Sequence, residues 1–460
     1  MLCYRYCRQI KSRSVSSHSI DIELDSLTDA VSMALEYAKT LGTSGAEVAI
    51  SKQQGLSVST RMKEVETVEF NKDGALGITV FRDGCKGSSS TSDLSPAAIQ
   101  QAVKAANDIA RFTSADPYNG LADKSLMATE FPELDLYHPQ EISPEELTHL
   151  AVLAEEAALD TDPRVKTSDG ASANAHSSVK VYGNSHGFLN GFCSSRYSLS
   201  CVAIGEHEGG MQRDYDYTIS RKFSEMVAPE IIGKKAAEKT AGRLGGRKIA
   251  TTQLPVLFSP EIATGLIGHL VGAISGGSLY RKSSFLLDAI DTQVFPDWFS
   301  IHEDPLLVGA LASSAYDSEG VATQARDIID NGRLATYLLT SYSARKLGLT
   351  NTGHAGGIYN WTLSTTGQTF DQLVKEMGTG LIVTEVMGQG VNTVTGDYSR
   401  GAAGFYVENG VILYPVEEIT IAGNLKDMFQ NILGVAKDRD LRSSIRTGGI
   451  LMDKMKIAGN

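Results

Sequence analysis

Apolar positions along the chain switch between two periods, and the switches mark its elements. Leu27, Val31, Ala34, Leu35 and Ala38 recur at helical spacing, with Asp25 or Ser26 as the capping residue and Gly42 closing the turn, which predicts a first helix. Period-two alternation then takes over. Residues 46–50, 55–62, 65–71 and 74–84 read as strands, with Asp73-Gly74 and Asp83-Gly84 as hairpin turns. Ser95-Pro96 opens a second helix to about Arg111, with Ile99, Val103, Ala106 and Ile109 or Ala110 turned inward. Helix, meander and helix predict one α+β unit whose helices cover one face of a sheet.

From residue 113 to 142 periodicity lapses, and Pro117, Gly120, Pro132 and Pro139 predict a connecting segment. Ser143-Pro144-Glu145-Glu146 is a capping box, followed by Leu147, Leu150, Ala151, Ala154 and Ala158 at helical spacing. Between Val165 and Ser220 the alternation of Tyr197, Leu199, Cys201 and Ala203, with a turn at Asn184 to Gly187, predicts an antiparallel sheet with one wet face. Tyr215 and Tyr217 share that period and read as sheet packing ahead of an aromatic ledge. Pro229 to Leu244 predicts a further helix.

Next comes a strand ending at Phe258, then Ser259 as N-cap, Pro260 at the first helical position and Glu261 in the first turn. Ile262, Leu266, His269, Leu270 and Ala273 form one face of this helix, and Gly276-Gly277 end it. In the last third, Asn331-Gly332 and Asn409-Gly410 are hairpin signals. With residues 362–366, 380–386 and 419–423 they predict a curved, barrel-like layer. The expected fold is therefore α+β: a helix-covered antiparallel sheet at the N-terminal side and a β-rich, barrel-like C-terminal domain. The expected division is a basic tail or presequence 1–20, an N-terminal domain 21–112, a connection 113–142, a middle α+β part 143–235 and a C-terminal domain 236–460.

Composition narrows the function. At 460 residues, 42% hydrophobic and 21% charged, the chain is globular and long enough for two or three domains. No apolar run approaches the ~18 to 20 residues that cross a bilayer, and a net charge of −12 argues against a nucleic-acid footprint. Forty-five glycines against twelve prolines suit a protein rich in hairpins. Cys3, Cys7, Cys85, Cys193 and Cys201 form no CxxC pair, and free thiols in a reducing cytoplasm are expected. Arg5, Arg8, Lys11 and Arg13 precede the first acid, Asp21, so the first twenty residues read as a targeting segment, a disordered tail or an upstream start.

Three places carry candidate chemistry. A metal-binding helix needs two donors about a turn apart, but His269 stands alone on its helix and reads first as a packed histidine. His302-Glu303 has no second histidine four or five residues on, and Pro305 breaks the helix it would need. An autonomous hydrolase built on His302, Asp317 and Glu319 requires these to converge; Asp304, Asp317 and Glu319 otherwise serve turns. Residues 388–405 are glycine-rich without the GxxxxGK[ST] pattern, so sharp turning or close backbone approach is expected instead of phosphate binding.

The ordered blocks GVNTVTGDYSRGAAGFYVENGVILYPVEEITIAGNL at 390–425, YDSEG at 316–320, NGRLATYLL at 331–339 and TG at 352–353 closely resemble the PmbA (TldE) branch of the TldD/PmbA family. The resemblance runs from about residue 25 to the C-terminus. It implies dimers enclosing a hollow interior and, for a TldD/TldE pair, a cytosolic heterodimeric protease of unfolded or small peptides. The TldD branch holds zinc with HExxxH and a later cysteine. Placed on this chain by Val271-Gly272 and Arg281-Lys282, that motif falls on Gly268, His269 and Ala273, and no cysteine follows Cys201. The resemblance therefore implies a chain with no catalytic residue, metal ligand or cofactor of its own, zinc belonging to a TldD-like partner. The other reading is a non-enzymatic homodimer that binds a peptide, a toxin or a gyrase-related partner.

Overall fold

The computed structural model describes residues 18–459, so the alternatives for the N-terminal tail lie, up to residue 17, outside the described residues. The chain divides into two compact units. One runs to Leu121 and resumes over Asp135–Ala241; the other comprises Ala122–Leu134 and everything from Gly242. The α+β class expected from periodicity is what the chain forms.

The first unit is built from α1 (His18–Thr40), β1 (Gly45–Arg61), β2 (Glu64–Arg82), β3 (Cys85–Thr91), α2 (Pro96–Phe112), α3 (Pro144–Thr161), β4 (Val165–Asn184), β5 (Leu189–His207), β6 (Gly210–Ser220) and α4 (Pro229–Arg243). Its strands make one antiparallel sheet of order β3-β2-β1-β4-β5-β6. The stretches 21–112 and 143–235 thus share a sheet, joined where β1 pairs β4. Even-numbered β1 residues face the helices throughout. Val48 and Ile50 pack with Val31 of α1 and Val103 of α2, while Leu56 and Val58 pack with Ala151 of α3 and Ala236 of α4. Ser143 and Glu146 form the expected capping box on α3.

Two local expectations need correction here. α1 begins before Asp25 and Ser26, because Leu24 extends the apolar face and Ser26 returns its hydroxyl to the Glu23 carbonyl (2.9 Å) instead of capping. Asp73-Gly74 is not a turn: it pairs with Gln53 and Lys52 in the middle of a continuous ladder, and a side chain at 74 would collide with Lys52. The chain reverses at Met62-Lys63, both in the left-handed region (φ 50° and 67°), where neither residue type announces a turn. What holds this turn is remote. Glu155 of α3, wholly buried, accepts from Thr60 Oγ1 (2.5 Å) and from the backbone N–H of Met62 (2.9 Å) and Lys63 (3.1 Å).

Asp83-Gly84 forms its hairpin as read. Tyr215 and Tyr217 stack on β6 (6.3 Å between centroids), with Tyr215 exposed. Cys193 and Cys201 are free thiols on one strand, eight residues and so roughly 26 Å apart, too far to bridge.

The second unit contains β7 (Thr252–Phe258), α5 (Pro260–Ala273), α6 (Gly276–Tyr280), β8 (Ile301–Glu303), β9 (Arg326–Asp330), β10 (Arg333–Leu334), α7 (Ser341–Leu347), β11 (Trp361–Leu363), α8 (Phe370–Met377), β12 (Gly380–Met387), β13 (Asp397–Glu408), β14 (Val411–Asn424), α9 (Leu425–Gln430), β15 (Ile432–Val435), β16 (Ile445–Arg446) and β17 (Ile450–Ala458). Strands β14, β13, β12, β7 and β17 follow one another, and β17 pairs back onto β14 at Thr420 to Ala422, closing a five-strand barrel. A half-barrel of order β10-β9-β8-β11-β16 forms the second sheet. The hairpins at Asn331-Gly332 and Asn409-Gly410 both form, one in each sheet. Gly404 lies against the Ile382 carbonyl and Gly390 against that of Ser399, so the glycine-rich run links β12 to β13 at backbone contact distance and leads into no helix. Among the described residues no helix is long and apolar enough to cross a membrane.

Candidate functional site

α5 starts as its sequence indicates, with Pro260 in the first turn, although Ser259 makes no side-chain cap bond. The helix ends sooner than expected, at Ala273; Gly276-Gly277 open α6 instead, and a β-carbon on Gly276 would clash with Ser343. One face of α5, Ala263, Leu266, Ile267, Leu270 and Ala273, is fully built into the core. Its outward face is Gly265, Gly268, His269 and Gly272. A β-carbon on any of these glycines would meet nothing within 4 Å.

The structure separates the three residues on which the resemblance places the metal motif. Gly268 faces open space, Ala273 is sealed in the core, and His269 stands between them. The His269 ring packs edge-on against Tyr398 of β13 (5.9 Å between centroids, 76°). Burial holds its pKa below the ordinary imidazole value, and the Arg400 charge pushes the same way. Among the described residues no three His, Cys, Asp or Glu side chains gather as metal donors.

His302, Asp317 and Glu319 do not converge. On β8 the burial alternates, so His302 points outward and pairs with Asp327 (2.8 Å), while Glu303 points inward. Asp317 accepts from the backbone N–H of Glu319 (2.8 Å), Val321 (3.0 Å) and Ala355 (3.0 Å). Burial pushes its pKa up to about 7, with those N–H groups pulling the other way. Glu319 accepts from Ser341 Oγ (2.6 Å), the Ser341 N–H (2.9 Å) and Asn351 Nδ2 (3.0 Å). Asp304 serves a turn, accepting from the Leu306 N–H (3.0 Å).

A buried polar network beside these residues escaped the sequence reading. Glu303 accepts from Trp361 Nε1 (2.8 Å) and the Tyr359 N–H (3.0 Å), and its other oxygen lies 2.8 Å from His354 Nε2. His354 Nδ1 meets Thr352 Oγ1 (2.8 Å). Both side chains of the His354–Glu303 pair are 1% exposed. The signal available was the Thr352-Gly353 block and the period-two position of Glu303; the 51-residue separation hid the pairing. With no solvent access and every oxygen engaged, this network braces the half-barrel and offers no reacting group.

A barrel unit and a helix-covered sheet unit, with one half-buried imidazole on α5, define an α+β protein. Residues 46–110 match PmbA/TldA metallopeptidase domain 1, residues 137–244 the central domain and residues 251–459 the C-terminal domain. Metalloprotease PmbA of Escherichia coli O157:H7 is 59% identical over 433 residues, 94% of this chain and 96% of that protein. A Metalloprotease PmbA homolog of Haemophilus influenzae is 58% identical over 437 residues, with the same coverage. A crystal structure from Bacteroides thetaiotaomicron, of a provisionally named modulator of DNA gyrase, superposes with a TM-score of 0.90 at 28% identity, covering 94% of this chain and 98% of that one. The chain belongs to the PmbA/TldD metallopeptidase family. The family implies a metal, yet at residues 268, 269 and 273 only His269 has a donor atom, and one imidazole does not hold a catalytic zinc.

Proposed function

We propose that this chain is the PmbA/TldE-type subunit of a two-chain zinc peptidase, shaping the chamber that receives peptides and unfolded small proteins. A TldD-like partner supplies the zinc, the attacking water and the general base. The observation that carries this reading is the side-chain set on α5: Gly268 and Ala273 have no donor, Ala273 is enclosed in the core, and His269 is spent on Tyr398. Substrate is held by backbone pairing at a sheet edge, which tolerates many sequences. Such an edge exists along residues 64–75 of β2, since β3 pairs only from Leu76 onward. The free thiols Cys85, Cys193 and Cys201 agree with a reducing cytoplasm.

The test is reconstitution. Purified alone, the chain is expected to leave peptides intact; mixed with a TldD-like chain it forms a heterodimer that cleaves them, and a chelator abolishes the cleavage. Chelator-sensitive cleavage by this chain alone would overturn the division of roles, as would a partner whose rate is unaffected by mixing.

A further inference from the structure

Where β14 and β17 part, the barrel wall holds a cleft of about 380 Å³, at the small end of the ~300 to 1,000 Å³ range of small-molecule sites. Its origin lies in the sequences of β7 and β17. Pro255 has no N–H to give the ladder, and β17 sets two residues, Asp453 and Lys454, against it: Leu254 pairs with Met455 and Val256 with Met452. On its other edge β17 meets β14 through residues 456–458 and β15 through residues 450–452, so residues 453–455 lie in an interval between the two strands. Part of this interval is taken by α9, which opens where Asn424 accepts from the Lys426 N–H (3.1 Å), and the Asn431 carbonyl beyond it accepts the Asp453 N–H (3.0 Å). The space left over has an apolar floor. Met428, Met452 and Met455 line it, each almost wholly buried. A β-carbon on Gly423 would stand 3.1 Å from Met428 Sδ and 3.8 Å from Met455 Cε, so glycine lets the backbone lie directly on these two side chains. The rim carries both signs of charge: Lys454 and Lys456 from β17, Asp453 beside them and Asp427 from α9. Among the described residues none of these four side chains makes an ion pair or a hydrogen bond. Two ammonium groups and two carboxylates thus border one cleft beyond ion-pair reach of one another.

We propose that this cleft binds a small zwitterion with an apolar side chain: a short peptide with free ends, or a free amino acid. Its carboxylate takes charge-assisted hydrogen bonds from Lys454 and Lys456, its ammonium donates to Asp427 and Asp453, and its side chain lies on the methionines. Thioether side chains are unbranched and polarisable, so such a floor accepts aliphatic groups of different shapes. A purely anionic ligand would meet the two aspartates with like charge, and a purely cationic one the two lysines; a ligand of both signs complements the whole rim. The cleft lies entirely within the second unit, so the inference does not depend on pairing with a TldD-like chain.

The experiment is NMR of the full chain labelled with ¹³C-methyl methionine, titrated with leucyl-leucine and, in parallel, with leucine. Of the eleven methionines, Met428, Met452 and Met455 are assigned from Met→Leu variants, which conserve volume. Their signals are expected to shift saturably, with half-saturation below about 1 mM for at least one ligand, and the tighter ligand tells a peptide from a free amino acid. N-acetyl-leucyl-leucine amide, which has neither charge, is expected to bind about tenfold more weakly or worse. The same loss is expected for the parent's preferred ligand in Lys454→Gln/Lys456→Gln and in Asp427→Asn/Asp453→Asn, with the thermal unfolding midpoint of both variants unchanged. If neither ligand half-saturates those three signals below about 1 mM, if the blocked peptide binds as tightly as leucyl-leucine, or if either double variant binds as tightly as the parent, the proposal is overturned.

Discussion

Glu303 tests whether the buried network holds the second unit together. Its carboxylate takes N–H groups from Trp361 and Tyr359 and faces His354, all within 3.0 Å, with both side chains of the His354 pair 1% exposed. Glu303→Ala removes every acceptor at once and leaves three nitrogens without a partner where water does not reach. Each such group costs about 1 to 3 kcal/mol, and breaking a buried pair costs about 3 to 5 kcal/mol; since the groups share one site the effects do not add, and about 4 kcal/mol is expected. The two tryptophans, Trp298 and Trp361, both lie in this unit, so intrinsic fluorescence in urea follows it alone. With a slope of ~2.5 kcal/mol per molar urea the midpoint falls by about 1.6 M. Glu303→Gln keeps one oxygen for Trp361 and Tyr359 and offers its amide to the His354 ring, so it is expected to lose only about 1 kcal/mol. The reasoning is refuted if Glu303→Ala costs less than ~1 kcal/mol, or if Gln proves as damaging as Ala.

Three further outcomes are expected. Rebuilding the motif as Gly268→His, His269→Glu and Ala273→His gains no bound zinc by elemental analysis and lowers stability by about 1 to 3 kcal/mol, because residue 273 is enclosed in the core. Glu155→Ala frees the reversal at Met62-Lys63, so hydrogen exchange at those two amides rises well above that of the parent while amides at the Asp83-Gly84 hairpin keep their rate. The raised pKa of Asp317, about 7, means the folded chain binds its proton more tightly than the unfolded chain does. Its contribution is therefore present below the ordinary carboxylate range and lost as pH rises toward 7, at up to ~1.4 kcal/mol per pH unit. His269, with its lowered pKa, contributes the opposite slope below its ordinary value, so the check is the difference in urea midpoint against pH between parent and Asp317→Asn. A difference that does not change with pH would refute the assignment.

What the sequence made legible follows from how locally each feature is encoded. The helix opened by Ser95-Pro96 and the one capped at Ser143 are written in consecutive residues, and they form as read. The hairpins at Asp83-Gly84 and Asn409-Gly410 carry the residue types that left-handed backbone demands. Asp73-Gly74 carries the same types inside a ladder paired on both sides of it, where register outweighs turn preference. The reversal at Met62-Lys63 had no local signal because its support, Glu155, lies more than ninety residues away. The same holds for Glu303 and His354. On α5 the decisive information was local, since glycine and alanine have no donor wherever they fold; the enclosure of Ala273 and the Tyr398 contact to His269 needed the tertiary structure.

The most direct test of the central claim is the metal content of this protein purified alone from cells grown with ample zinc, measured by mass spectrometry of the native chain. The account predicts the mass of the bare polypeptide, with zinc far below one ion per chain. One tightly held zinc per chain, lost on His269→Ala, would contradict it.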